Sequence, residues 1–214
     1  MVTGVIFDLD GVILHTDEYH YLAWKHIADE ERIYFDREIN NRLRGVSRIK
    51  SLDIILEKAN RIYSEEEKER LATRKNGIYV ELLNEKLSPA VISEDVKYTL
   101  KELRKRGIKL AIGSSSKNAK LILQRVQLTD DFHFISDGNG ITKSKPDPEV
   151  FLKAAEGIGC MPKDCFVVED AFAGIDASIA GGFQSIAIGD AKAHKGANYR
   201  IERLSEIIDL ISKD

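Results

Sequence analysis

Val5-Ile6-Phe7-Asp8-Leu9-Asp10-Gly11 is the stretch that decides the fold. Its apolar half is short and ends abruptly in an Asp-x-Asp-Gly turn, the pattern of a buried strand running into a tight loop. Alternate side chains of an extended segment share a face, so Asp8 and Asp10 can point into one pocket. The same grammar returns beyond residue 88. A helix with Val96, Leu100 and Leu103 should end at Gly107. A strand over 108–112 runs into Gly113-Ser114-Ser115-Ser116, and a helix with Leu121, Leu123 and Val126 precedes a strand over 132–135. In Lys145-Pro146-Asp147-Pro148, Asp147 reads as an N-cap and Pro148 as the first helical residue. That helix is expected to bury Phe151, Leu152 and Ala155 and to stop at Gly159. Cys165–Val168 reads as a strand ending in Glu169-Asp170, Ser185–Ile188 as another, and a last helix carries Leu204, Ile207, Ile208 and Ile211. Strands alternating with helices predict an α/β fold with a doubly wound, Rossmann-like parallel sheet.

Between these parts lies a stretch with no strand pattern. Leu22, Ala23 and Ile27 mark one helical face, and Leu52, Ile55, Leu56 and Ala59 another. Ser64 with Glu67 fits a capping box ahead of a charged helix carrying Leu71, Ile78 and Leu82. The expected organisation is a catalytic core over 1–15 and 88–214 with an all-helical insert over 16–87.

Bulk properties narrow the class. The 214 residues carry a net charge of −3, with 43% hydrophobic and 31% charged residues. That composition suits a globular protein and argues against a nucleic-acid or membrane surface. Two cysteines, Cys160 and Cys165, are too few for a disulfide framework. No basic leader precedes the first strand and no apolar run approaches the roughly 20 residues of a membrane span, so a cytoplasmic protein is expected.

The polar residues of interest fall at strand ends. Asp8 and Asp10, Ser114, Lys145, and Glu169 with Asp170 all follow a strand, and open parallel sheets bind ligands at the carboxyl ends of their strands. Neighbouring carboxylates repel unless a cation intervenes. Magnesium is the natural one, being content with one or two carboxylates plus waters and a phosphate, and Glu169-Asp170 would complete its oxygen shell with Asp8 and Asp10. Lys145 would neutralise phosphoryl oxygens. Ser114 sits in a turn whose N–H groups lead into a helix, a seat for an anion. Aspartate is a known nucleophile for phosphoryl transfer, and Asp10 is placed for acid/base work. Taken singly, each segment has a plainer reading: a turn or calcium-loop fragment, a flexible serine turn, a helix start, a capping pair. Their conjunction, in order and at successive strand ends, favours chemistry.

These residues resemble the haloacid dehalogenase-like phosphotransferase superfamily: Phe7-Asp8-Leu9-Asp10-Gly11-Val12, Ser114, Lys145-Pro146-Asp147-Pro148, and Glu169-Asp170 with Ala173-Gly174-Ile175. Glu18-Tyr19-His20, Ala23-Trp24-Lys25, Arg44-Gly45-Val46-Ser47-Arg48 with Ser51-Leu52, Arg74-Lys75-Asn76 with Tyr79-Val80, and Ser116-Lys117-Asn118 are similar to segments of its β-phosphoglucomutase family. The resemblance implies a helical cap over the core, magnesium, and interconversion of β-glucose 1-phosphate and glucose 6-phosphate through an aspartyl-phosphate and glucose 1,6-bisphosphate. It implies catalytic roles for Asp8, Asp10, His20 and Lys145. Trp24, Arg44, Gly45, Val46, Ser47, Arg48, Ser51, Lys75, Ser114, Ser115, Ser116 and Asn118 would bind substrate and phosphate. The partner this implies is a small sugar phosphate, and a monomer is expected. The chain departs from the family at His15-Thr16, where an acidic residue usually precedes Thr, and at Ser115, where alanine is common. Two competing readings are a sugar-phosphate phosphatase of the same fold and a non-catalytic phosphate or metal sensor.

Overall fold

The computed structural model describes residues 2–44 and 46–211, so Gly45, among the expected phosphate-binding residues, lies outside the description. The chain divides into two compact units, Met1–His15 with Ser88–Asp214, and Thr16–Leu87.

Strand β1 (Gly4–Phe7) is buried along its whole length. The chain then leaves the sheet to build the second unit from α1 (Asp17–Glu30), α2 (Arg37–Asn41), α3 (Arg48–Leu56) and α4 (Glu65–Lys86). Trp24, Ile27, Ile39, Leu52, Ile55 and Leu71 form its core. The Ser64–Glu67 box at the start of α4 is present in both directions: the Ser64 hydroxyl accepts the Glu67 N–H at 3.2 Å, and the Glu67 carboxylate accepts the Ser64 N–H at 2.9 Å.

The first unit resumes with α5 (Glu94–Lys105), β2 (Lys109–Gly113), α6 (Ala119–Arg125), β3 (Phe134–Ser136) and α7 (Glu149–Gly157). It ends with β4 (Cys165–Glu169), α8 (Phe172–Ala180), β5 (Gln184–Ala187), β6 (Tyr199–Arg200) and α9 (Ile207–Ile211). The six strands run parallel in the order β3-β2-β1-β4-β5-β6. This is the doubly wound, Rossmann-like order, and it reverses direction at β1 and β4, where such sheets bind ligands. Ile6, Ala111, Cys165 and Val167 on one sheet face cluster with Val150, Phe151, Ala154 and Ala155 of α7 and Ala177 of α8.

Three local expectations shift. Leu152 is exposed, because the buried face of α7 is set by Val150, Phe151, Ala154 and Ala155, and Leu152 points about 100° away from Phe151. Pro148, not Asp147, is the N-cap of α7; the Asp147 carboxylate instead accepts the Glu149 N–H at 3.0 Å. The sixth strand was not anticipated. It is two residues long, pairs Ile186 with Tyr199 and Ala187 with Arg200, and has no apolar run to announce it.

Candidate active site

The end of β1 is shaped by a ladder that outlasts the strand. Asp8 N–H donates to the Val168 carbonyl at 2.9 Å, so the first carboxylate is still held in sheet geometry. The chain then folds back: Gly11 N–H donates to Leu14 O at 2.7 Å and Ile13 N–H to Leu9 O at 3.0 Å. Gly11 has φ +88°, and a Cβ there would lie 1.9 Å from Asp170 Oδ2. The turn therefore needs glycine twice over, for its left-handed backbone and for the carboxylate from the end of β4 that lies against it.

Lys145 is the pivot of the site. It is 1% exposed, and its ammonium contacts both Asp8 Oδ1 and Glu169 Oε1. The other Glu169 oxygen accepts the Ala171 N–H at 2.9 Å. Gly174 leaves the room Glu169 occupies, since a Cβ there would sit 1.9 Å from the carboxyl group. Burial alone would lower the Lys145 pKa, but the Asp8 and Glu169 carboxylates outweigh it and raise it, so the ammonium stays charged. Burial pushes the Asp8 carboxyl well above the ordinary aspartate range; Lys145 opposes this, and the Glu169 and Asp170 carboxylates add to the rise. Two buried carboxylates thus share one cation, the buried Asp170 carboxyl acts on Asp8, and Asp10, half-buried, follows in the same loop.

The loop after β2 lies beside this group in the sheet order. Ser114 is 3% exposed; its N–H donates to Ser136 O at 3.0 Å, and its hydroxyl accepts the Ser116 N–H at 3.2 Å. The Ser116 hydroxyl accepts the Asn118 N–H at 3.2 Å, and Asn118 is the N-cap of α6. The Ser115 hydroxyl is buried with no hydrogen-bond partner. Ser136-Asp137-Gly138-Asn139, uninformative as sequence, braces this loop: Gly138 N–H donates to Ser116 O at 3.1 Å and Asn139 Nδ2 to Lys117 O at 2.9 Å. The Ser/Asp/Gly/Asn composition marks a turn but does not say which loop the turn will meet.

The inserted unit holds its own polar group. His20, Lys75 and Tyr79 meet there: Lys75 Nζ is 2.7 Å from His20 Nδ1, Tyr79 stacks on His20 with centroids 4.0 Å apart, and Lys75 lies over the Trp24 and Tyr79 rings. Burial, then the charges of Lys75 and Arg48, hold the His20 pKa well below 6.5, so the ring is neutral at pH 7. Thr16 and Tyr79 share a buried hydroxyl bond of 2.9 Å, while His15 is exposed. Trp24, 2% exposed, belongs to the core cluster of the unit. Ser47 is the N-cap of α3, its hydroxyl accepting the Lys50 N–H at 3.4 Å, and Ser51 is buried within that helix. Arg44 lies 3.8 Å from Asp17, and Val46 and Arg48 are half-buried.

A family model described as haloacid dehalogenase-like hydrolase matches residues 5–188. The chain belongs to the haloacid dehalogenase-like hydrolase family. Within that family it is 43% identical over 206 residues to a β-phosphoglucomutase of Bacillus subtilis, covering 95% of this chain and 91% of the relative. A phosphorylated carbohydrates phosphatase of Thermotoga maritima is 28% identical over 186 residues, covering 86% and 83%. Among solved haloacid dehalogenase-like structures, a β-phosphoglucomutase from Clostridium difficile superposes with a TM-score of 0.92 at 38% identity, covering 100% of this chain and 96% of that one.

Among the described residues no three His, Cys, Asp or Glu side chains converge as a metal cage. Both Glu169 oxygens are already engaged, one by Lys145 and the other by the Ala171 N–H. The donors that remain fit a magnesium ion all the same. Asp8 and the Gly11-facing Asp170 are two hard oxygen donors in a carboxylate-rich site, and magnesium asks for one or two carboxylates plus waters and a phosphate.

Proposed function

We propose that the chain is a β-phosphoglucomutase, interconverting β-D-glucose 1-phosphate and glucose 6-phosphate through glucose 1,6-bisphosphate. The observation that carries this reading is the Asp8–Lys145–Glu169 group at the β1 and β4 ends, in a chain 43% identical over nearly its full length to a protein of that activity.

Asp8 carries the phosphoryl group as an aspartyl-phosphate. The 6-hydroxyl of β-glucose 1-phosphate attacks that phosphorus; the Asp8–phosphorus bond breaks, the bisphosphate forms, and Asp10 takes the hydroxyl proton. The bisphosphate turns over, Asp8 attacks the phosphorus at position 1, and Asp10 returns the proton to the departing sugar oxygen, releasing glucose 6-phosphate. Such acid/base help is worth about 100- to 10,000-fold. Lys145 neutralises the transferring phosphoryl oxygens, and Glu169 holds Lys145 in place. Ser114 and the loop through Asn118 line the phosphate seat. Asp8, Asp170 and the Asp10 backbone carbonyl would hold magnesium, which supplies charge neutralisation at phosphorus. In the cap, Arg44 and Arg48 supply cations for the second phosphate, and neutral His20 offers a ring nitrogen to the sugar hydroxyls. Ser47 and Ser51 shape α3, and Trp24 serves packing with its ring toward Lys75.

A second reading has a specific observation behind it: relatives at 27–28% identity are named sugar-phosphate phosphatases. Phosphorus NMR of the protein with β-glucose 1-phosphate, magnesium and a trace of the bisphosphate separates the two. Glucose 6-phosphate is expected, with turnover lost on adding EDTA. Free phosphate without glucose 6-phosphate would establish the phosphatase instead, and no turnover across sugar phosphates would leave a sensor.

A further inference from the structure

Glu149 opens α7 four residues after Lys145, and its carboxylate reaches back to the loop that carries that lysine. One oxygen accepts the Thr142 N–H at 2.9 Å, the Lys143 N–H at 2.8 Å and the Thr142 hydroxyl at 3.0 Å. The other pairs with Lys153 Nζ at 2.7 Å, and the Lys153 ammonium also donates to the Gly140 carbonyl. Gly140, Thr142 and Lys143 are thereby tied to the first turn of α7. Lys153, with the two loop N–H groups, pulls the Glu149 carboxyl down to about 2, so the tie is charged across the working range.

An acidic residue in a first helical turn ordinarily stabilises the helix by facing its dipole. Glu149 does more than that role needs, because two of its partners are backbone N–H groups outside the helix. The segment from Lys143 to Pro148 is anchored downstream by the buried Val150 and Phe151 and upstream through Glu149. Inside it, Asp147 N–H donates to Ser144 O at 3.1 Å and Lys143 lies 3.5 Å from Asp147. Lys145 is a long, flexible side chain whose ammonium must arrive between two buried carboxylates, so the placement of its backbone decides where that charge stands.

We propose that Glu149 is the positioning residue for Lys145: it fixes the loop at Thr142 and Lys143 so that the ammonium meets the transferring phosphoryl group. The inference rests on the assignment of Lys145 to that group. A displacement near 1 Å in such a site costs up to about 100-fold in rate.

The test uses the full chain and acetyl phosphate, following labelling of Asp8 in a single turnover well below each variant's melting temperature. Glu149→Ala is expected to slow labelling by about 10- to 100-fold while KM for β-glucose 1-phosphate changes less than about threefold. Glu149→Gln keeps an acceptor oxygen for the loop and should lose only about three- to tenfold, rescuing most of the rate. An unchanged labelling rate in Glu149→Ala overturns the proposal and leaves Glu149 a helix-stabilising residue. Should Glu149→Ala not fold, Glu149→Gln decides alone: an unchanged rate overturns the proposal. Lys145→Ala is measured beside them. Full-speed labelling there would overturn the role of Lys145 itself, an outcome distinct from a slow Lys145→Ala with a normal Glu149→Ala.

Discussion

Two lysines are buried among the described residues, Lys145 at 1% and Lys75 at 2% exposure, and their surroundings differ in kind. Lys145, at the ends of β1 and β4, is matched by the carboxylates of Asp8 and Glu169. Lys75, in α4, lies against the neutral His20 ring and over the faces of Trp24 and Tyr79. A buried ammonium needs compensation, and formal charge and aromatic faces are two ways to supply it. Carboxylates hold the ammonium by formal charge, in a group suited to a phosphoryl centre. Aromatic faces and an imidazole nitrogen let a cation be buried beside packing residues, while burial and the charges of Lys75 and Arg48 depress the basicity of His20.

This contrast can be broken by measurement. The largest effect is expected from Lys145→Met, which leaves Asp8 and Glu169 facing each other without their cation and should cost about 3–5 kcal/mol in urea unfolding, along with turnover. Lys75→Met keeps the apolar stem and loses a cation over aromatic rings and an imidazole bond, so about 1–2 kcal/mol is expected. Equal losses in the two variants would erase the distinction.

Acid titration sharpens it further. The folded-state pKa of His20 lies below 6.5, so above that pH the ring is neutral in both states. Below about 6.5 the unfolded chain takes a proton that the folded cap refuses, and stability falls by up to about 1.4 kcal/mol per pH unit. Urea midpoints from pH 7 to 5 should show this slope in the wild type and lose it in His20→Gln; identical slopes would sink the assignment of a neutral His20. The smallest effect is reserved for Tyr79→Phe, which keeps the ring over Lys75 and His20 and deletes the Thr16 bond, at about 1 kcal/mol. A loss as large as that of Lys75→Met would show that the hydroxyl bond, not the ring faces, organises the group.

Much of the core was legible because its signals are local. Val5–Phe7 running into Asp8-Leu9-Asp10-Gly11 combines apolar burial with turn chemistry inside seven residues, and Ser64 with Glu67 states a helix start in four. Less legible were features whose cause lies far along the chain. Nothing in Ser136-Asp137-Gly138-Asn139 says that it will brace the loop after β2. Tyr199-Arg200 pairs with β5 through backbone groups that every residue possesses, so its side chains could not reveal it. Leu152 looked like core because it is apolar, and only the helical phase set by Val150 and Phe151 turned it outward.

Glu169 shows the same limit at the site. In sequence it stands beside Asp170 as a second oxygen donor; in the fold its two oxygens are taken by Lys145 and the Ala171 N–H. The sequence by itself determined the element types, the inserted helical stretch and the strand-end positions of Asp8, Ser114 and Asp170, because periodicity, capping and turn chemistry act within a few residues. Only the tertiary structure decided which carboxylates share Lys145, why Gly11 and Gly174 must lack a Cβ, and how Glu149 reaches back to the lysine loop. The sharing of Lys145 joins segments 137 residues apart, and no local pattern encodes that distance.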